Sequence, residues 1–217
     1  MIKKRIEKLK KNFDKYNIDG YVIPKNDEFF SEQVFFDRLK RISNFSGSAG
    51  LAIIFKKKNY LFVDGRYTIQ AKKESGRYFK IIPIHKCLPR NILKNLKLGF
   101  DPKLFTKNQM DYYFGKNIEL IPINKNLVAN EIFKRVSNDK LFYSLPSKIT
   151  GKSHKNKIFE VSKLIKKNKS DYLFVSAPEN VAWVLNIRGA DIPFSPIPNC
   201  RLIINKYKNF FLISDIR

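Results

Sequence analysis

Cysteine, histidine and acidic side chains are scarce in this 217-residue chain, and each shortage excludes a class of protein. The two cysteines, Cys87 and Cys200, lie far apart and form no Cys-x-x-Cys, which excludes a disulfide framework and a zinc ribbon and points to a reducing cytoplasm. The two histidines, His85 and His154, have no carboxylate or second histidine at ligand spacing, so both read as surface or turn residues. No apolar run approaches the roughly 20 residues that a membrane span needs. The basic start, Met1–Arg5, leads into a charged amphipathic pattern and not into an apolar signal core.

Apolar residues make up 43% of the chain and aromatics 14%, enough to build cores and to exclude disorder as the main description. Asp and Glu number 19 against 43 Lys and Arg, a formal charge of +24. Most of the basic residues are lysine, spread along the chain among Asn, Ile, Phe and Tyr. That mixture is what A/T-rich codons yield without selection for a polyanion partner, and the basic clusters Lys56–Lys58 and Lys166–Lys169 fall at an expected turn and helix end. Non-specific, salt-sensitive adhesion to polyanions still follows from so large a charge.

The periodicity predicts one plan used twice. Ile6, Leu9, Phe13 and Tyr16 keep helical spacing over residues 3–17, and Asp19-Gly20 then leads into a strand at Tyr21–Ile23. Ile158, Val161, Leu164 and Ile165 repeat the stripe, and Ser170-Asp171 leads into a strand at Tyr172–Val175. Tyr21 matches Tyr172 at a spacing of 151, while Lys58-Asn59 and Lys208-Asn209 sit in matching hairpin turns at a spacing of 150. After its hairpin the first copy is expected to continue through helices over 66–74, 89–96 and 107–113 and strands over 79–82, 98–101 and 118–121. The second ends at Arg217. The expectation is therefore a first α/β domain over 1–123, a connector over 124–152 with one helical turn at 131–135, and a half-built second domain over 153–217. Val181, Trp183, Ile203 and Leu212 of that half would lack their usual cover, so the chain reads as a fragment or as one that a partner segment completes.

Three strings carry a family resemblance: Arg38-Leu-Lys-Arg-Ile-Ser-Asn-Phe-Ser-Gly-Ser-Ala-Gly50, Phe62-Val-Asp-Gly-Arg-Tyr-Thr-Ile-Gln-Ala71 and Glu179-Asn-Val-Ala-Trp-Val-Leu-Asn-Ile-Arg-Gly-Ala-Asp191. With Tyr21-Val-Ile-Pro24 they resemble the N-terminal half of the three-domain Xaa-Pro aminopeptidases (aminopeptidase P), built from creatinase-type N-terminal domains. The resemblance implies two α/β domains with mixed sheets, similar to ribonuclease H in fold, the second incomplete here. It also implies a separate C-terminal metallopeptidase domain of pita-bread type, where Asp, Asp, His, Glu and Glu hold two divalent ions, usually manganese, that activate hydroxide against the carbonyl before proline. No catalytic or metal-ligating residue of that set is expected in this chain, and peptide substrate is expected only in the complete enzyme. Asn44 stands where the family usually has glycine, and Arg41 and Phe29 replace a common aromatic and histidine.

Gly47-Ser48-Ala49-Gly50 is followed by a strand, so it reads as a close backbone approach and not as a phosphate loop, which needs a following helix. Asp64 caps the helix that follows it, and Arg66 is the sharper candidate, a residue projecting toward the missing domain to wall the active site and select short peptides. Arg188 and Asp191, on a proline-rich loop, are candidate interface residues, with an ion pair serving only the loop as the alternative. The leading expectation is the non-catalytic N-terminal part of a cytoplasmic Xaa-Pro aminopeptidase, shaping access and assembly, with a homodimer possible and no membrane partner. A stand-alone basic adaptor for nucleic acid or an acidic partner, and a split or decayed gene product, are the alternatives.

Overall fold

The computed structural model describes residues 2–31, 34–128, 141–192 and 194–214. The chain divides into two compact units, Met1–Glu28 with Phe36–Lys134, and Phe29–Phe35 with Arg135–Arg217. The helical turn expected at 131–135 lies outside the described residues.

In the first unit α1 (Ile2–Lys10) buries Ile2, Ile6 and Leu9 along one stripe. The expected single helix breaks at Asn12, whose side-chain amide donates to the Lys8 and Leu9 carbonyls and competes with the backbone. A short α2 (Phe13–Tyr16) follows and ends on left-handed Asn17. Then come β1 (Gly20–Pro24), α3 (Arg38–Ser43), β2 (Gly50–Phe55), β3 (Asn59–Val63), α4 (Thr68–Ser75), β4 (Lys80–Pro83), α5 (Pro89–Ile92), β5 (Lys97–Phe100), α6 (Lys107–Phe114) and β6 (Glu119–Pro122). They form a mixed sheet of order β4-β3-β2-β1-β5-β6, in which β2 runs antiparallel to both neighbours and the other pairings are parallel. β1 is central and buried at every residue.

Helix α5 stops earlier than expected because Leu93 turns extended and drops into the core. A helix absent from the sequence reading, α3, is started by the Asp37 carboxylate, which accepts from the Lys40 amide, and stopped by left-handed Asn44 (φ 67°). The two faces of the sheet carry separate cores. Tyr21, Ile23, Ala52 and Ile54 meet α1 and α3, while Val22, Ile53, Tyr60 and Phe62 meet Leu93, Leu104, Met110 and Phe114.

The second unit holds β7 (Tyr143–Ser144), α7 (Ser147–Thr150), α8 (His154–Lys167), β8 (Tyr172–Val175), α9 (Pro178–Leu185), β9 (Ile187–Arg188), β10 (Arg201–Asn205) and β11 (Phe210–Ile213). Its main sheet has the order β11-β10-β8, antiparallel throughout, which repeats β3-β2-β1 of the first unit. A two-residue ladder between β7 and β9 was not legible in the sequence. Ile158 and Ile165 of α8 and Val181 and Val184 of α9 pack on Leu202 and Ile204.

Facing direction corrects the expected alignment of the copies. Tyr21 and Ile23, which pair with Ile54 and Ala52 on the α1 side, correspond to Leu173 and Val175, which pair with Ile204 and Leu202 on the α8 side. Tyr172 therefore matches Gly20, not Tyr21, because a slip of one residue moves every side chain to the other face. The opposite face is where cover is missing. Phe174 and Phe211, counterparts of buried Val22 and Tyr60, are 53% and 57% exposed. Trp183 on α9 is exposed as well, and so is Leu212, although its pairing with Leu202 puts it on the α8 face. Val181, expected to be bare, is instead wholly buried, since it lies on the face of α9 turned to α8 and β10.

Candidate functional site

β3 delivers Asp64 at its end, just before a tight 3-10 turn over Gly65–Tyr67 that precedes α4. One Asp64 oxygen accepts from the Arg66 amide at 3.0 Å and from Arg66 Nε at 2.9 Å, and the other accepts from Nη2 at 3.3 Å. The carboxylate thus caps the turn and aims the guanidinium, and the Arg66 side chain stays 74% exposed. The side-chain bond from Arg66, followed by its backbone bond, holds the Asp64 carboxyl below the usual aspartate range, and the same partner raises Arg66. A Cβ on Gly65 would lie 2.8 Å from the His85 ring, so any side chain there would have to displace that exposed ring. Exposed His85 is packing beside the turn, and exposed His154 starts α8.

Beside Asp64 lies a cavity of about 130 Å³ at the carboxyl ends of the parallel strands, lined by Pro24, Asn26, Ile84, Gln109 and Tyr113 among others. Its amides already hold backbone: Asn26 donates to the Leu104 carbonyl at 2.6 Å, and the Gln109 carbonyl oxygen accepts from the Thr106 amide in the α6 capping box.

The Gly47–Gly50 string runs into β2, and a Cβ on Gly47 would lie 2.3 Å from the Phe45 ring. The anion at this loop is internal. Glu74 of α4 accepts from the Ser46 amide at 2.8 Å and from its hydroxyl at 2.6 Å. Burial works to raise the Glu74 carboxyl, but the bonds from Ser46 and Gln70 outweigh it and the net shift is downward. Sequence reasoning missed Glu74, although its spacing of four from Gln70 on one helix face was the signal.

Arg188 and Asp191 do not form the ion pair held as an alternative. Arg188 donates to the Ala182 and Ile187 carbonyls, closing the end of α9, and Asp191 accepts from the Asn199 amide at 2.7 Å across the proline-rich loop. Buried Lys157 was also missed. Its ammonium donates to the Trp183 carbonyl at 2.8 Å and to Asn186 Oδ1 at 2.7 Å, and lies 4.1 Å from the centre of the Trp183 ring. Its position four residues before Val161, in line with the apolar stripe, was the available sign.

Among the described residues no group of three or more His, Cys, Asp or Glu could hold a metal ion, so the donor set that a two-metal centre requires does not fit these residues. No helix among them is long and apolar enough to cross a membrane.

Two family models, both described as Creatinase/Prolidase N-terminal domain, match residues 5–129 and 134–216. The chain belongs to the creatinase/prolidase N-terminal domain family. This creatinase/prolidase-type chain is 31% identical over 220 residues to Xaa-Pro aminopeptidase 1 of Dictyostelium discoideum, covering 90% of itself and 35% of that relative. It is 32% identical over 216 residues to a probable Xaa-Pro aminopeptidase P of Coprinopsis cinerea, covering 89% of itself and 34% of the relative. It thus spans about a third of the length of the curated relatives it matches. An X-prolyl aminopeptidase from Caenorhabditis elegans, described as a cytosolic enzyme with a di-nuclear active site, shares the fold over 99% of this chain and 39% of its own, with a TM-score of 0.81 at 24% identity.

Proposed function

We propose that this chain serves as the non-catalytic N-terminal part of an Xaa-Pro aminopeptidase. In this reading, removal of the residue before proline belongs to polypeptide outside residues 1–217, a C-terminal metallopeptidase domain carried on the same or a separate chain. The observation that carries it is the run of Xaa-Pro aminopeptidases matched along about nine-tenths of this chain but a third of their own length. The two divalent ions of the complete enzyme, of which manganese is the expected kind, would supply an activated hydroxide there, and the described residues offer no donor set for them. This chain's own contribution is steric and electrostatic. Arg66, aimed by Asp64 and left exposed, walls the site and favours short peptides. Arg188 and Asp191, which brace the loop after α9, stand behind a second contact surface. A cytoplasmic location and a homodimer belong to the same reading.

The purified 217-residue chain, supplied with manganese and a proline-containing peptide, is expected to release no N-terminal residue, and release would overturn the proposal. Arg66→Ala in the complete enzyme is expected to raise KM for short peptides. Unchanged kinetics with unchanged folding would remove Arg66 from it.

The charge of +24 supports a second reading, a basic adaptor for nucleic acid or an acidic partner. Sequence-selective binding that survives physiological salt would favour it.

A further inference from the structure

The cavity beside Asp64 lies where the crossovers of the first sheet part. After β3 the chain passes to α4, whose Ala71 packs on the α1 face, and after β5 it passes to α6, whose Met110 and Phe114 pack on the opposite face. In open α/β sheets, connections that leave for opposite faces open a crevice outside the carboxyl ends of the strands, and ligands bind there. The volume of about 130 Å³ is close to that of an engineered cavity of roughly 150 Å³ that takes up benzene, so it holds about six non-hydrogen atoms.

The lining selects the chemistry. Leu51, Ile84 and Phe105 offer apolar wall. Asn26 has turned its amide nitrogen to the Leu104 carbonyl, which leaves Oδ1 without a protein partner among the described residues, and the Tyr113 hydroxyl has none there either. Asp64 Oδ1 takes two bonds from Arg66, but Oδ2 takes only the one at 3.3 Å and keeps a lone pair. Gln109 adds one donor, its Nε2, since its carbonyl oxygen is held by the Thr106 amide. Three oxygen acceptors, one of them anionic, thus line one small cavity. A primary ammonium has three N–H donors and a positive charge, whereas an alcohol has one donor and a carboxylate would meet Asp64 as a like charge.

We infer that this cavity binds a primary ammonium on a compact apolar body, about six non-hydrogen atoms in all, with the ammonium at Asp64, Asn26 and Tyr113 and the hydrocarbon against Leu51, Ile84 and Phe105. Both a free alkylamine and the lysine side chain of a peptide carry such a group. The inference uses only residues of the first unit and is independent of the aminopeptidase reading.

The probes are cyclopentylammonium, its isostere cyclopentanol, and cyclopentanecarboxylate, titrated into the 217-residue chain at pH 7 and followed by the NMR signals of the Asn26 and Gln109 side-chain amides. The charge of +24 opposes a cation only at long range, so the titrations are run at about 0.15 M salt, which screens it. Cyclopentylammonium is expected to saturate with a Kd of about 1 mM, within reach of so few atoms. Cyclopentanol is expected to bind at least about tenfold more weakly and the carboxylate not at all. Asp64→Asn keeps the cap, since asparagine serves as well there, and is expected to weaken the ammonium at least about tenfold, with Tyr113→Phe costing about threefold. The backbone amide spectrum, recorded alongside, checks that both variants fold. Nα-acetyl-lysine methylamide separates the two sources: binding within about threefold of cyclopentylammonium assigns the lysine of a peptide, and its failure beside bound cyclopentylammonium assigns a free amine. No saturation by cyclopentylammonium up to about 20 mM would overturn the inference, as would equal binding of cyclopentanol or binding indifferent to Asp64→Asn.

Discussion

The Lys157 ammonium and the Asn186 side-chain oxygen meet at 2.7 Å inside the second unit, with no carboxylate in the contact. Asn186 is left-handed (φ 56°), its amide donates to the Lys152 carbonyl, and its own carbonyl accepts from the Leu145 amide. One buried cation thereby ties α8, the end of α9 and the strand before α7 together.

Replacing Lys157 by methionine leaves Asn186 Oδ1 and the Trp183 carbonyl without that donor in a buried place. The second unit is expected to lose about 2–4 kcal/mol. Trp183 is the only tryptophan in the chain, so its fluorescence during urea unfolding reads that unit. Burial, then the charges of Arg188 and Lys152, hold the Lys157 amine below its usual value of 10.5. Between the folded value and 10.5 the unfolded chain keeps the proton more strongly, so this lysine's contribution to stability rises with pH across that window. Lys157→Met should flatten the rise.

Gly47→Ala is expected to destabilise the first unit by about 1–3 kcal/mol, since the added methyl meets the Phe45 ring and the core must shift. Asn44→Ala, at φ 67°, should cost about 1 kcal/mol, and Asn44→Gly should be tolerated. Denaturant midpoints followed by circular dichroism check both.

The two cysteines should react unequally. Cys200 is buried and burial pushes its thiol up to about 12, while Cys87 is half-buried. An alkylating reagent at about pH 8 should label Cys87 in the native chain and reach Cys200 only after urea is added. Because the folded value exceeds the ordinary 9.0, the native state keeps this proton while the unfolded chain loses it, so this thiol makes stability fall between about pH 9 and 12. Native labelling of Cys200 by mass spectrometry would contradict the packing.

Polyanion binding should be strong and unselective at low salt. Heparin and unrelated DNA duplexes are expected to compete equally, with affinity dropping by orders of magnitude between about 50 and 200 mM salt. Filter binding across a salt series checks this.

Much of the strand plan was legible because alternation and turn residues are local signals, and the order β3-β2-β1 reappears as β11-β10-β8. The phase of the repeat was not. Tyr21 and Tyr172 look alike in sequence, yet the facing direction of a strand is set by what packs on it, and the helix beneath selects Leu173 as the true match. Helix α3 was missed because its apolar residues span barely one turn, although Asp37 and Asn44 marked its ends. At the candidate site the cap by Asp64 was readable from its place before Gly65-Arg66, whereas the Gln70–Glu74 spacing marks only a shared helix face, and the partner on which Glu74 closes, Ser46, lies 28 positions away. The Arg188–Asp191 pair failed for the same reason: carbonyls at the end of α9 and the Asn199 amide compete for those side chains, and backbone partners leave no trace in composition.

The hairpin that joins β10 to β11 carries Lys206 and Lys208 at the very tip of an aromatic ribbon. Such cations work as gatekeepers against cross-β stacking, since each added molecule would bring like charges together. Colloidal lifetime of the isolated polypeptide should therefore shorten as electrolyte is added, the reverse of ordinary salting-in.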